Sequence, residues 1–389
     1  MKSLLAILML LLTVVAAAAE ELRPLSQEET LAYLEKVAAA QQANFDKLKT
    51  WRGSYLTFRR RSLVSEIPPK KGAEATGEKF RWSENIAGSL QFSLDLEHNQ
   101  LRTEWLVEAP VNQDLDGKLI ADPLHRDPTQ RWGIGKMLGL HTPETTLHFE
   151  PEKLTHFGAR QTRLPSFFGP TRRVNRQTSR NSYLIPDPRE FGFDVHGSTM
   201  AKDAAGIIKS VKEVQQWKGR VSGAIRGEGE DEVFVFTMML SDGAGGVSPF
   251  VQSFSKSQGY QLVEWKLIDS AGKPGAQAPA LPIAMHEITI DYRQQDGVWV
   301  PADYVDKHYD ESGRGMQIEF HLVQAEINPP LADDEFSLKS LGVREGDLYE
   351  DPIQKKTFVI DRNLELVEPE DFEPTEETRQ RLEAGARRR

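Results

Sequence analysis

The chain contains no cysteine. That excludes disulfides, thiolate metal sites, cysteine nucleophiles and a thiol-borne lipid, so stability must come from ordinary burial. Long apolar runs are nearly as scarce: after the first segment, nothing is apolar enough to cross a bilayer as a helix, which takes roughly 20 residues. Basic residues are outnumbered, 48 Lys and Arg against 58 Asp and Glu for a formal charge of −10, which argues against the basic face of a general nucleic-acid binder. "GIGKMLG" and "DGAGG" hold glycines without the spacing of a nucleotide loop and read as turns. There is no G-x-S-x-G elbow, so a serine hydrolase of that type has no support.

What is present is a soluble, globular composition, with 39% apolar and 27% charged residues in 389 positions. The opening "MKSLLAILMLLLTVVAAAA" has one lysine, an unbroken apolar run from Leu4 to Val15 and small residues at Ala17 and Ala19. This is the pattern of a signal peptide, residues 1–19, cleaved near Ala19. The mature protein is therefore expected to be soluble in the periplasm or outside the cell.

Ser26 followed by Glu29 is a capping-box signature, and Leu31, Leu34, Ala38, Phe45 and Leu48 fall on one stripe, which predicts a helix of some six turns ending before Gly53. A second helix is predicted from about Ser198 to Trp217. Most of the rest alternates as strand and turn: 54–64, 89–96, 100–107, 221–226, 232–240, 249–255, 260–269, a meander over 285–327 and a short strand at 357–360. Residues 109–187 are too long for a plain loop and are expected to form an insertion or lid. Residues 361–389 are polar and charged, and are expected to be mostly disordered. The expected organisation is one domain over 20–360.

The meander fixes a face. If Gln295, Asp296 and Gly297 form a three-residue loop, Tyr292 faces Val300, Ile290 faces Ala302 and Ile288 faces Tyr304. A second loop at Glu311, Ser312 and Gly313 sets Tyr304 opposite Phe320 and Ala302 opposite Leu322, with Ile318 on the same side. Thr289, Asp291, Arg293, Asp303, Lys307, Gln317, Glu319 and His321 then go to the wet side. A two-residue loop would mix the faces.

About ten strands spaced by roughly 4.8 Å, each some eight residues at roughly 3.3 Å, make a sheet on the order of 1,200 Å² per face. Two helices of about 22 and 18 residues shield on the order of 600 Å². Roughly half of the apolar face then lacks a helix, more than soluble monomers usually leave bare. Self-cover by residues 109–187 or closure of the sheet, a partner protein, and an apolar ligand held between sheet and helices are the alternatives.

Four features together resemble a known family. They are the signal segment, the helix "LAYLEKVAAAQQANFDKLKTWRGSY" running into a strand, the meander "DGVWVPADYVDKHYDESGRGMQIEFHLVQAEINPPLADDEFSL", and the closing "LGVREGDLYED". Within the meander, Trp299 with Pro301, Ile327 with Asn328 and Pro329, and Phe336 to Leu338 carry the likeness. The chain resembles the outer-membrane lipoprotein-sorting carriers, the LolA-like superfamily. That resemblance implies an α+β, mainly β fold, a curved antiparallel sheet or incomplete β-barrel wrapped over two or three helices. It also implies a lipid-like or acylated ligand held between them. No cargo-gating residue of the family transfers to a position here.

The candidate cavity lining is accordingly Ile288, Ile290, Tyr292, Val300, Ala302, Tyr304, Ile318, Phe320 and Leu322. Residues 153–186 hold no acidic residue but six arginines, of which Arg172, Arg173 and Arg176 are candidates to meet an anionic group. An envelope membrane protein is a candidate second partner. His141, His148 and His156 lie among Glu144, Glu150 and Glu152 without the spacing of a metal helix, so no metal or cofactor is expected. Asp187, Glu190, Asp194 and His196 could be drawn as a hydrolase, but carboxylates at such range are common in turns. The reading is of an exported, non-catalytic carrier or sensor of an apolar ligand. A structural or interaction protein of the envelope is the alternative, and an exported hydrolase comes third.

Overall fold

A computed structural model of the chain describes residues 22–66, 79–108, 111–114, 118–119, 135–151, 171–177, 221–241, 247–269, 283–309 and 315–387, with isolated positions at 188, 194–195, 198–199 and 208. The signal segment and the carboxylates at 187 and 190 lie outside these residues, as do His156, His196 and nearly all of the helix expected over 198–217. Ser198–Thr199, its expected start, is extended and pairs with Asp194–Val195.

The elements in chain order are β1 (Arg23–Pro24), α1 (Gln27–Phe45), β2 (Thr50–Glu66), β3 (Lys79–Asp95), β4 (Gln100–Val107), β5 (Val111–Gln113), β6 (Gly135–His141), β7 (Thr146–Phe149) and β8 (Arg173–Arg176). There follow β9 (Asp194–Val195), β10 (Ser198–Thr199), β11 (Val221–Arg226), β12 (Val233–Ser241), β13 (Val247–Ser255), β14 (Gln261–Asp269), β15 (Ile283–Gln295) and β16 (Val298–Tyr309). The last are β17 (Gly315–Ile327), β18 (Leu348–Asp351), β19 (Lys356–Ile360), β20 (Leu366–Val367) and α2 (Glu376–Arg387). The protein is mainly β, and α1 and α2 are the two long helices among the described residues. The chain divides into two compact units, residues 1–46 with 191–314 and residues 47–190 with 315–389.

In the first unit, β11 to β16 form an antiparallel meander, with β1 added on the outer side of β11. Helix α1 begins as expected, with the Ser26 hydroxyl accepting from Glu29 N–H and the Glu29 carboxylate accepting from Ser26 N–H at 2.7 Å. It stops at Phe45, before the expected bound near Gly53, because Thr50, Trp51 and Tyr55 are strand formers whose burial lies in a sheet, where Trp51 and Tyr55 are fully buried. The buried stripe is Thr30, Leu34, Val37, Gln41 and Asn44, shifted from the one read from the sequence. Polar residues occupy it because each has a partner: Thr30 bonds back to Ser26 O, Gln41 donates to Tyr260 O, and Asn44 meets the backbone of Trp299. Gly223 makes room for the helix, since a Cβ there would lie 2.6 Å from Thr30 Oγ1. Tyr33 stacks on Phe234 at 5.2 Å.

In the second unit the strands run β17–β2–β3–β4–β6–β7–β8–β18–β19–β20, with β5 on the part of β3 beyond β4. Every pairing is antiparallel except β8 with β18. Parts of the expected insertion are thus strands β5 to β8 of this sheet. The C-terminal segment is also ordered where disorder was expected: Phe372 and Leu382 are buried with Leu348 and Val359. Two apolar side chains suffice because hydrogen bonds hold the rest. Thr375 caps α2, and the Glu345 carboxylate accepts from Thr375 N–H at 2.8 Å and from the hydroxyls of Thr375 and Thr378, each at 2.6 Å.

Candidate functional site

The hairpin β15–β16 turns on two residues, not three. Gln295 pairs with Val298, and Asp296 and Gly297 both take positive φ, 50° and 77°, as a type I′ turn requires. The expected pairs are therefore displaced: Tyr292 faces Pro301 and Arg293 faces Val300. The mixing of faces that a two-residue loop would cause is removed by a bulge. Ala302 is the extra residue between Pro301, opposite Tyr292, and Asp303, opposite Asp291. Beyond it Ile290 faces Tyr304, Ile288 faces Asp306 and His286 faces His308.

Side chains on one face of the first unit's sheet follow from these registers. Where α1 contributes cover, the face is closed: Phe234, Phe236, Phe254 and Leu262 have essentially no exposure. Toward the other ends of the strands, Met238, Phe250 and Leu267 are half-buried. A row of rings crosses four strands there. Phe250 meets Trp265 edge-on at 5.2 Å, Trp265 meets His286 edge-on at 4.5 Å, and His286 stacks on His308 at 3.8 Å. Asp306 completes the row, its Oδ1 2.8 Å from His286 Nε2 and 3.2 Å from His308 Nε2.

Of the candidate lining residues, Ile288, Ile290, Tyr292, Val300 and Tyr304 are buried in the first unit, and Ala302 is half-buried. Burial pushes the Tyr292 phenol far up from its ordinary range, so it stays neutral. In the second unit Phe320 is buried, while Ile318 and Leu322 are half-buried. The second expected loop, at 311–313, lies outside the described residues.

The three arginines stand in a ladder across the parallel pair β8–β18. Arg172 grips Asp347 through two nitrogens at 3.0 and 2.5 Å, Arg173 reaches Glu350 at 2.6 Å, and Arg176 reaches Asp351 at 2.7 Å. The Asp347 and Asp351 side chains are each 2% exposed. Their partners come from "LGVREGDLYED", which accounts for that motif physically: it docks both the arginine strand and α2.

The histidines near position 145 divide between small local contacts. His141 Nδ1 lies 2.8 Å from Thr146 Oγ1, and His148 Nε2 lies 3.7 Å from Glu150. The cluster that does form, His286 with Asp306 and His308, was missed because its members are separated in sequence and meet only across the hairpin. The signal was the shared parity of 286, 306 and 308 on the even-numbered face.

No protein-family model and no curated protein matches the chain. Among solved structures, it is similar to a domain named for outer membrane lipoprotein sorting from Vibrio parahaemolyticus, at 12% identity and a TM-score of 0.32 over 80% of this chain and 100% of that one. It is similar to a DUF1329-family protein from Desulfovibrio piger, at 8% and 0.29 over 80% and 98% of the two chains. A LolA-superfamily protein from Nitrosomonas europaea is similar at 8% and 0.29, over 78% and 98%. The superfamily named from the sequence stands among these structural neighbours.

Proposed function

We propose that this is an exported, non-catalytic protein that binds or carries a lipid-like or acylated ligand on the apolar face of the sheet formed by β11 to β16. The observation that carries the reading is the gradient along that face. Phe234, Phe236 and Phe254 are closed off, whereas Met238, Phe250 and Leu267 remain half-buried beyond them. A half-buried apolar floor bordered by rings suits an acyl chain, which gains about 0.8 kcal/mol for each CH₂ removed from water. Ile288, Ile290 and Tyr304 continue the floor, and Tyr292, Val300 and Ala302 remain proposed lining positions in this unit. The signal segment and the sequence resemblance support a periplasmic or extracellular setting, with an envelope membrane protein as donor or acceptor of the ligand. Among the described residues, no helix is long and apolar enough to cross a membrane.

The test is quenching of tryptophan emission by brominated fatty acid, with native mass spectrometry of the purified mature protein. Saturable quenching that falls in Trp265→Phe, together with a co-purifying amphiphile, is expected. A protein that carries no amphiphile and shows no saturable quenching overturns the proposal.

A second reading, a docking surface on another envelope protein, is favoured by the second unit. Leu56, Phe58, Leu106 and Val111 lie on one face of β2 to β5 and are 44–47% exposed. Phe58→Glu would then abolish partner capture and leave ligand quenching intact.

A further inference from the structure

We propose that His286, Asp306 and His308 form a binding site for one divalent transition-metal ion of the zinc class. Three donors of the right kind converge: two imidazole nitrogens and a carboxylate oxygen, all within 4.8 Å of one another. Both Nε2 atoms already point at the same oxygen, Asp306 Oδ1, from 2.8 and 3.2 Å. An ion held at about 2.0–2.2 Å from nitrogen and oxygen ligands in a tetrahedron separates its donors by roughly 3.3 Å. The two separations from Asp306 Oδ1 are close to that spacing, and the His286 and His308 rings, now stacked at 26°, would rotate apart to aim both Nε2 atoms at the ion.

The site is built on strands. His286 and His308 are directly opposite across β15 and β16, and Asp306 is two residues from His308 on the same face, so the hairpin register sets all three positions. The edge of Trp265 lies against the His286 ring and limits its tilt. The His286 and Asp306 side chains are 14% and 16% exposed, which keeps competing water low, while His308 at 44% leaves an entry path. Two stacked neutral imidazoles and one carboxylate would give the ion one negative charge and leave a coordination position for water or an oxygen ligand. An ion there would replace the contacts that both Nε2 atoms now make with Asp306 Oδ1. The proposal stands apart from the ligand reading, since it needs no cavity.

The test uses the full mature chain, dialysed against chelator and then titrated with Co²⁺ and Zn²⁺. Visible absorption of the Co²⁺ form reports coordination, and competition with a fluorescent chelator gives the Zn²⁺ affinity. One ion per chain is expected, with binding weakened by about tenfold or more in His308→Ala and in Asp306→Asn. His308 is partly exposed, so its replacement is expected to leave the far-UV spectrum and the melting temperature of the metal-free protein unchanged. Equal Zn²⁺ affinity in wild type and both variants, or no binding up to millimolar Zn²⁺, overturns the site. If His308→Ala unfolds the protein, His308→Gln takes its place and the same comparison decides.

Discussion

The side chain of Asn44 brackets the backbone of Trp299: its Nδ2 donates to the Trp299 carbonyl at 3.0 Å, and its Oδ1 accepts from the Trp299 N–H at 2.7 Å. The last turn of α1 thereby supplies two bonds to the main chain of β16. Replacing Asn44 by Ala leaves a donor and an acceptor without those partners at a buried site, at a cost of about 1–3 kcal/mol. A fall in the urea midpoint at unchanged slope is the expected result. An unchanged midpoint would show that water replaces the amide freely.

The turn at Asp296–Gly297 makes a separate demand. A Cβ at Gly297 would meet nothing within 4 Å, so only its φ of 77° resists a side chain. Gly297→Val is expected to cost about 1–2 kcal/mol, whereas Asp296→Asn should be nearly neutral, because asparagine tolerates the left-handed region. Thermal melts of the two variants separate this turn from a three-residue loop, in which Asp296 would have no need of positive φ.

Arg172 and Asp347 form a fork-to-carboxylate pair in which the acid is 2% exposed. Arg172→Met strands that carboxylate, and a loss of about 3–5 kcal/mol is expected. The double variant Arg172→Met/Asp347→Leu should recover part of it. Additive losses in denaturant titrations would mean the two groups are not coupled.

Helix α2 should respond to acid. Burial opposes ionisation of Glu345, but the Thr375 and Thr378 hydroxyls and the Thr375 N–H outweigh it and hold the carboxyl below its ordinary range. A lowered carboxyl pKa adds stability above the unfolded value of about 4.3, and that stability is lost as pH falls through the folded value. Hydrogen exchange over 376–387, corrected for intrinsic rate, is therefore expected to accelerate below about pH 4. In Glu345→Gln it should be fast already at neutral pH and should lose that acid step.

Much of the fold is legible in the sequence because alternation is a direct image of the pleat. The bounds 100–107 and 221–226 read from the sequence coincide with β4 and β11, and Ser26 with Glu29 gives the start of α1. Legibility failed where one residue changes the parity. Asp296–Gly297 is a strong two-residue turn signal, yet it is compatible with the apolar alternation only through the bulge at Ala302, which nothing in the local sequence announces. The stripe of α1 was misjudged because Gln41 and Asn44 are buried for their hydrogen bonds, which hydropathy does not register. The C-terminal helix escaped for the same reason, being fastened by Glu345 more than by oil. The proposed metal cluster needs a register, and the register needs the bulge.

The parallel seam between β8 and β18 joins residues 173–175 to residues 348–350. A growing polypeptide emerges from the ribosome in order, so one edge of β8, the edge away from β7, must wait for its partner while more than a third of the protein is still being made. Completion of this sheet is therefore expected only after β18 has been made, and distant pairings of this kind form slowly. Removing the last-made partner would bare the edge of β8 and leave Val174, now fully buried, open to any passing strand.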